Sequence, residues 1–250
     1  MFPVLQIGPL ALPVPAFALL AGVWAGLSLA EKEAVRLKLN PEAVYNLVFL
    51  GLVAGLIGAR LAYVVRYLSA YASDPLSVFA LNPSALAPTE GALIGAMAAI
   101  VYGARRKLML RSTLDALAPG LAIMGAAVAV AHLASGDAFG AAAHWPWSVY
   151  LWDEYRHPSQ VYELIAALLV LGLAWRLRQQ RSFAGFNFLW VVALSAIARI
   201  SLEAFRGDSL VMVGGLRAAQ VWGLVILAAC LVTMRHWGKE TGSWTKQLDV

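Results

Sequence analysis

Charge is what this chain of 250 residues has least of: 13% of it is Asp, Glu, Lys or Arg, against 61% hydrophobic residues and a mean hydropathy of +0.71. A water-soluble domain carries roughly 25% charge and about half apolar residues, so the apolar excess must face lipid. Cysteine is nearly absent. A single Cys230 excludes an intramolecular disulfide and any Cys-based metal site. Low-complexity tracts and repeats of solenoid period are missing too. The first thirty residues contain no Lys or Arg, so the opening apolar stretch lacks the basic flank of a signal peptide and reads as a retained first helix. The four histidines (His132, His144, His157, His236) show no HExxH spacing, and no metal or cofactor is expected. The missing GxSxG elbow argues against a hydrolytic triad built from His157, Ser159 and an acid. A formal charge of +5 would suggest nucleic acid in a soluble chain. Here the cations belong against a membrane first, and no nucleic-acid partner is expected.

What is present is a series of seven apolar stretches, at about 13–30, 44–65, 90–104, 114–134, 159–177, 184–204 and 217–235. A bilayer core takes about 20 apolar residues per helix. The pattern predicts an all-α polytopic membrane protein with one integral membrane domain over 1–250 and outer segments at about 66–89 and 135–158. The third stretch is short and rich in Gly and Ala, and Pro119-Gly120 interrupts the fourth. Thirteen of the nineteen Lys and Arg residues follow the first, third, fifth and seventh stretches, among them Lys32, Arg105, Arg178 and Lys246. Cytoplasmic loops retain such residues, which predicts an outer N-terminus and a cytoplasmic C-terminus. The other six are Arg60, Arg66, Arg156, Arg199, Arg206 and Arg217. They fall toward the outer ends, where an anionic lipid headgroup is their natural ligand; Arg66, Arg206 and Arg217 are expected to snorkel, Arg60 and Arg199 to work from deeper positions.

Three constellations carry chemistry. Arg199 and Glu203, four apart, share a helix face, and Arg206 continues the stripe. Arg60 and Tyr63 stand in the run GlyAlaArgLeuAlaTyr from Gly58, whose small residues permit close helix contact. The run Arg156-His157-Pro158-Ser159-Gln160-Val161-Tyr162-Glu163 is the densest polar stretch in the chain, with Pro158 suited to the first turn of a helix. The Arg60 and Arg199 seams would meet in the outer leaflet, enclosing a pocket that also includes His157 and Gln160.

In this order, the runs at 7–12 (IleGlyProLeuAlaLeu), 58–64, 90–95 (GluGlyAlaLeuIleGly), 156–163 and 199–206, with Gln220 near the start of the last helix, resemble the prolipoprotein diacylglyceryl transferase family over nearly the whole chain. The resemblance implies a seven-helix enzyme of the bacterial inner membrane that moves diacylglycerol from phosphatidylglycerol to the lipobox cysteine of a prolipoprotein, releasing glycerol phosphate. It assigns Arg60, Tyr63, Arg156, Ser159, Gln160, Tyr162, Arg206 and Gln220 to substrate binding. Glu90, His132, His157, Arg199 and Glu203 become the candidate catalytic residues, with Glu90, His132 and His157 as the available bases.

Several family positions differ. Glu90 stands where the family has histidine, Pro15 and Ser195 where it has tyrosines, and Ala129 where it has an arginine tied to headgroup binding. The rest of that signature aligns with His132, Ser135, Gly136, Asp137 and Gly140. Two readings follow: a divergent transferase, acting on a prolipoprotein or a related acceptor, or an inactive homologue serving as a lipid-binding or structural subunit of a membrane complex.

Overall fold

The computed structural model describes residues 3–8, 10–79, 84–212 and 214–240. Pro9, residues 80–83 and Lys246, which entered the readings above, lie outside them. Among the described residues the chain forms α1 (Val14–Arg36), α2 (Pro41–Arg66), a short α3 (Leu68–Ser73), α4 (Pro88–Arg105), α5 (Leu110–Ser135), α6 (Ser159–Leu177), α7 (Phe186–Leu202) and α8 (Ala218–Glu240). All seven expected stretches are helical. Six are long and apolar enough to cross a membrane; α4, with 18 residues, is not among those six. Large apolar side chains such as Leu20, Trp24, Leu56, Leu169 and Val232 are exposed on these helices, which only a lipid environment accommodates on this scale. The protein is an all-α polytopic membrane protein. Two small hairpins decorate it: β1 (Val4–Ile7) with β2 (Leu10–Pro13), and β3 (Val149–Leu151) with β4 (Glu154–Arg156). The second turns through Trp152 and Asp153, both with positive φ, the two-residue geometry that matches strand twist.

The chain divides into two compact units, Ala34–Leu110 and the pair Met1–Glu33 with Arg111–Val250. In the smaller unit α2 packs on α4 through two glycine pairs. A Cβ on Gly91 would lie 2.6 Å from the carbonyl oxygen of Gly55, and one on Gly95 2.6 Å from that of Gly51. This is the small-xxx-small contact that lets membrane helices approach backbone to backbone. The Gly/Ala content of 90–104, which makes the stretch weak as a span, is what makes it a tight packing partner.

In the larger unit the expected interruption at Pro119-Gly120 does not occur. Helix α5 runs unbroken through Pro119, and Gly120 is where it crosses α1: a Cβ there would sit 2.8 Å from the oxygen of Gly26. Neighbouring helices compensate for proline in a membrane span, and here a glycine crossing follows it directly. At the α5 N-terminus Asp115 is fully buried and accepts hydrogen bonds from the backbone N–H groups of Gly185 (2.7 Å) and Phe188 (3.1 Å), with Arg181 Nε 3.3 Å away. It thereby satisfies orphan donors at the start of α7 from another helix. Nearby, Glu33 of α1 pairs with Arg178 at 3.0 Å. Removing one partner of a buried pair leaves an uncompensated charge and orphaned donors, so Asp115→Ala is expected to destabilise the fold by about 3–5 kcal/mol. Thermal unfolding in detergent, compared with Glu240→Ala at an exposed pair, measures this.

Candidate functional site

At the other end of α5, segment 139–143 runs between the start of α6 and the end of α7. His157 N–H donates to Ala141 O (3.0 Å), Ala141 N–H to Phe205 O (2.8 Å) and Gly207 N–H to Phe139 O (2.9 Å). No room remains for a side chain at Gly140, where a Cβ would stand 2.1 Å from the carbonyl oxygen of His157. Gly140→Ala must therefore push the start of α6 away from this segment. A lowered unfolding temperature and impaired phospholipid retention are expected, whereas Gly172→Ala, with nothing within 4 Å of its Cβ and outside the cavity wall, should leave both near the parent values.

Beneath this seam α5, α6 and α7 line a half-open cavity of about 140 Å³. Its walls grade along the helices. Leu121, Ala166 and Val170 form one part, while Ser159, Tyr162, Glu163, Arg199 and Arg206 bring polar groups to the other. Drug-sized ligand sites occupy roughly 300–1,000 Å³, so this space is smaller than such a site.

Each polar wall residue has a distinct setting. Arg199 is 40% exposed and stands 3.0 Å from a carboxylate oxygen of Glu203, whose side chain is only 2% exposed. The approach lacks hydrogen-bond alignment, and that oxygen has no hydrogen-bond partner among the described residues. Helix α7 stops at Leu202 and passes into a 3-10 turn at Glu203–Phe205, so Arg206 reaches the cavity from extended backbone and not from a continued helical stripe. The cause is Arg217, whose Nη1 donates to the carbonyls of Glu203 (2.7 Å) and Arg206 (2.6 Å) and to Ser209 Oγ (2.9 Å). Arg206 is itself held by both carboxylate oxygens of Asp208. None of the arginines expected to snorkel does so alone: Arg66 pairs with Glu90, Arg206 with Asp208, and Arg217 caps a chain turn.

The 156–163 run splits by function. Ser159 Oγ donates to Ala138 O (2.6 Å) and the fully buried Gln160 donates to Asp137 O (3.0 Å), tying down the 135–138 turn. Arg156 donates to Leu151 O (3.1 Å) and Gly140 O (3.2 Å) and pairs with Glu154, so it braces the second hairpin. The Tyr162 hydroxyl receives Trp147 Nε1–H at 2.8 Å and lies 3.4 Å from His157 Nδ1, while the His157 ring stands edge-on to Phe205. Glu163, a residue of the run absent from the expected site, faces His132: its Oε2 lies 2.8 Å from Nδ1. Sequence spacing could not join residues 31 apart, but a carboxylate inside an apolar helix is the signal that marks it. Among the described residues the Gln220 side chain makes only a long contact, to Ile200 O at 3.5 Å.

The remaining expected residues belong to the smaller unit. Arg60 donates to the carbonyls of Val78 (2.9 Å), Ala85 (2.8 Å) and Ser77 (2.6 Å), with its guanidinium 5.4 Å from the Tyr71 ring centre. Tyr63 tilts against Tyr67 at 4.7 Å. Among the described residues no cluster of three metal-ligating side chains occurs.

Fold and site together define a polytopic membrane protein whose polar, arginine-bearing recess is walled by apolar helices. Within that class the chain belongs to the prolipoprotein diacylglyceryl transferase family, which matches residues 3–236. Over 241 residues it is 31% identical to a phosphatidylglycerol-prolipoprotein diacylglyceryl transferase of Synechococcus elongatus, covering 89% of this chain and 82% of that one. It is similarly 29% identical over 204 residues to the enzyme of that name from Clostridioides difficile (82% of each), and 28% over 250 residues to that from Shouchella clausii (94% and 90%).

Proposed function

We propose that this protein is a diacylglyceryl transferase of the bacterial inner membrane. It takes diacylglycerol from phosphatidylglycerol and attaches it to the lipobox cysteine of a prolipoprotein, with the N-terminus outside and the C-terminus in the cytoplasm. The observation that carries the reading is the recess between α5, α6 and α7, which joins an apolar wall to the Arg199 guanidinium. In the reaction the acceptor sulfur bonds to a glycerol carbon as the bond from that carbon to a phosphate oxygen breaks. The electron pair leaves with glycerol phosphate, and the thiol proton must go to a base. Arg199 is the phosphate ligand best suited to this, because a planar guanidinium offers paired donors to phosphate oxygens and its partner Glu203 restrains it. Arg206, fixed by Asp208, adds positive charge at the same wall, with Ser159 and Tyr162 as hydroxyls beside it. Arg156, His157 and Gln160 support the loops around the recess, and Gln220 contacts the Ile200 carbonyl of α7. Within the smaller unit Arg60 holds the carbonyls of Ser77, Val78 and Ala85, Tyr63 tilts against Tyr67, and Glu90 pairs with Arg66.

The test is incubation of the purified protein with phosphatidylglycerol vesicles and a labelled lipobox peptide, measuring thioether product and glycerol phosphate together. Equal formation of both is expected. Folded protein that retains phospholipid but forms neither product would overturn the transferase reading in favour of a lipid-binding subunit.

A further inference from the structure

Of the three candidate bases, one has a carboxylate partner within its own compact unit and beside the recess. Glu90 is spent on Arg66 in the smaller unit. Among the described residues the His157 ring hydrogen-bonds only the Tyr162 hydroxyl, which already receives Trp147. His132 Nδ1 lies 2.8 Å from Glu163 Oε2, and both side chains keep about a quarter of their surface accessible, 29% and 25%. Glu163 is part of the cavity wall that Arg199 also lines. No hydrogen bond engages the His132 Nε2 among the described residues.

Resting on the transferase reading above, we infer that His132 and Glu163 form the proton-accepting dyad of this protein, with His132 as the catalytic base and Glu163 as its positioning residue. A carboxylate at Nδ1 selects the tautomer that carries its proton there and leaves the Nε2 lone pair free. It also stabilises the imidazolium that forms, as the buried carboxylate does in serine hydrolases. In the step, the acceptor thiol gives its proton to Nε2 while sulfur bonds to the glycerol carbon. The carbon-oxygen bond breaks with its electron pair going to the phosphate oxygen. The imidazolium then releases the proton to the departing phosphate monoester or to water, restoring the dyad. Arg199 and Arg206 balance the phosphate charge from α7 and the chain following it. Glu203 and Asp208 hold those two arginines, and Tyr162 completes the wall on α6.

The discriminating experiment compares cysteine and selenocysteine versions of the same lipobox peptide on the parent protein and on His132→Ala, Glu163→Gln and Glu163→Asp. A selenol is far more acidic than a thiol and reaches the site already ionised, so it needs no base. With the cysteine peptide, His132→Ala is expected to lower kcat by about a hundredfold and Glu163→Gln by about tenfold, with KM for phosphatidylglycerol unchanged and Glu163→Asp recovering part of the loss. With the selenocysteine peptide these differences should collapse to within about threefold. Equal losses with both acceptors would assign the pair a structural role and overturn the dyad, as would unchanged kcat in His132→Ala. A parent protein inactive toward both peptides while retaining phospholipid would overturn the transferase reading itself. Unfolding temperature and retained phosphatidylglycerol, measured on each variant, separate misfolding from lost chemistry. If His132→Ala fails to fold, His132→Gln keeps the side-chain volume and the hydrogen bond while still removing the base.

Discussion

Arg199→Ala is expected to reduce kcat/KM for diacylglyceryl transfer from phosphatidylglycerol by at least about a hundredfold. Hydrogen bonds to charged groups contribute roughly 1.5–3 kcal/mol each, and about 1.4 kcal/mol is a factor of ten in rate. A guanidinium that offers two such bonds to a phosphate gaining charge therefore accounts for a loss of this size. The substitution also strands Glu203, which is 1% exposed, so a change in stability must be separated from a change in rate. The pair Arg199→Ala with Glu203→Gln removes the stranded charge; it should recover unfolding temperature relative to Arg199→Ala while leaving turnover low. Arg199→Lys keeps the charge but not the paired donors, and should remain well below the parent. Turnover unchanged in Arg199→Ala would remove this residue from the reaction.

The second large effect concerns folding of the smaller unit. Gly95→Leu introduces a branched side chain where even a Cβ would stand 2.6 Å from the carbonyl oxygen of Gly51. Backbone cannot retreat as a flexible side chain can, so α2 and α4 must separate along their whole crossing. Membrane helices associate through packing and not through exclusion of water, which leaves little to replace the lost contact. A collapse in the yield of monodisperse protein and a fall in unfolding temperature of roughly ten degrees or more are expected. Gly103→Ala is the control, because its nearest atom is a Leu47 methyl at 3.2 Å, the far end of a side chain able to shift. Equal yields for Gly95→Leu and Gly103→Ala would contradict the backbone-contact account.

Ala129 illustrates where alignment and geometry part. The family arginine at this position suggests that alanine removes a phosphate ligand. Ala129 is 0% exposed, so an arginine there requires the surrounding helices to repack, and overpacking a tight site is itself destabilising.

The residues alone determined that the chain spans a membrane, because 61% hydrophobic content and 13% charge leave no other environment for helices of these lengths. They also marked the seven helical stretches, since a lipid span must satisfy every backbone group within itself and is thus a local property. The Arg199 and Glu203 pair was legible for the same reason, four residues being one helical turn. What depended on distant chain segments was not legible. Pro119-Gly120 reads as a break until Gly26 of α1 is seen to cross there. The stripe through Arg206 reads as helix until Arg217, eighteen residues beyond Arg199 in the chain, takes the carbonyls that end it. His132 and Glu163 lie on different helices, and only packing brings Nδ1 within 2.8 Å of Oε2. Periodicity reports which face of a helix is apolar; which polar groups meet across two faces is decided by crossing points, and those are set by small residues whose partners lie elsewhere in the chain.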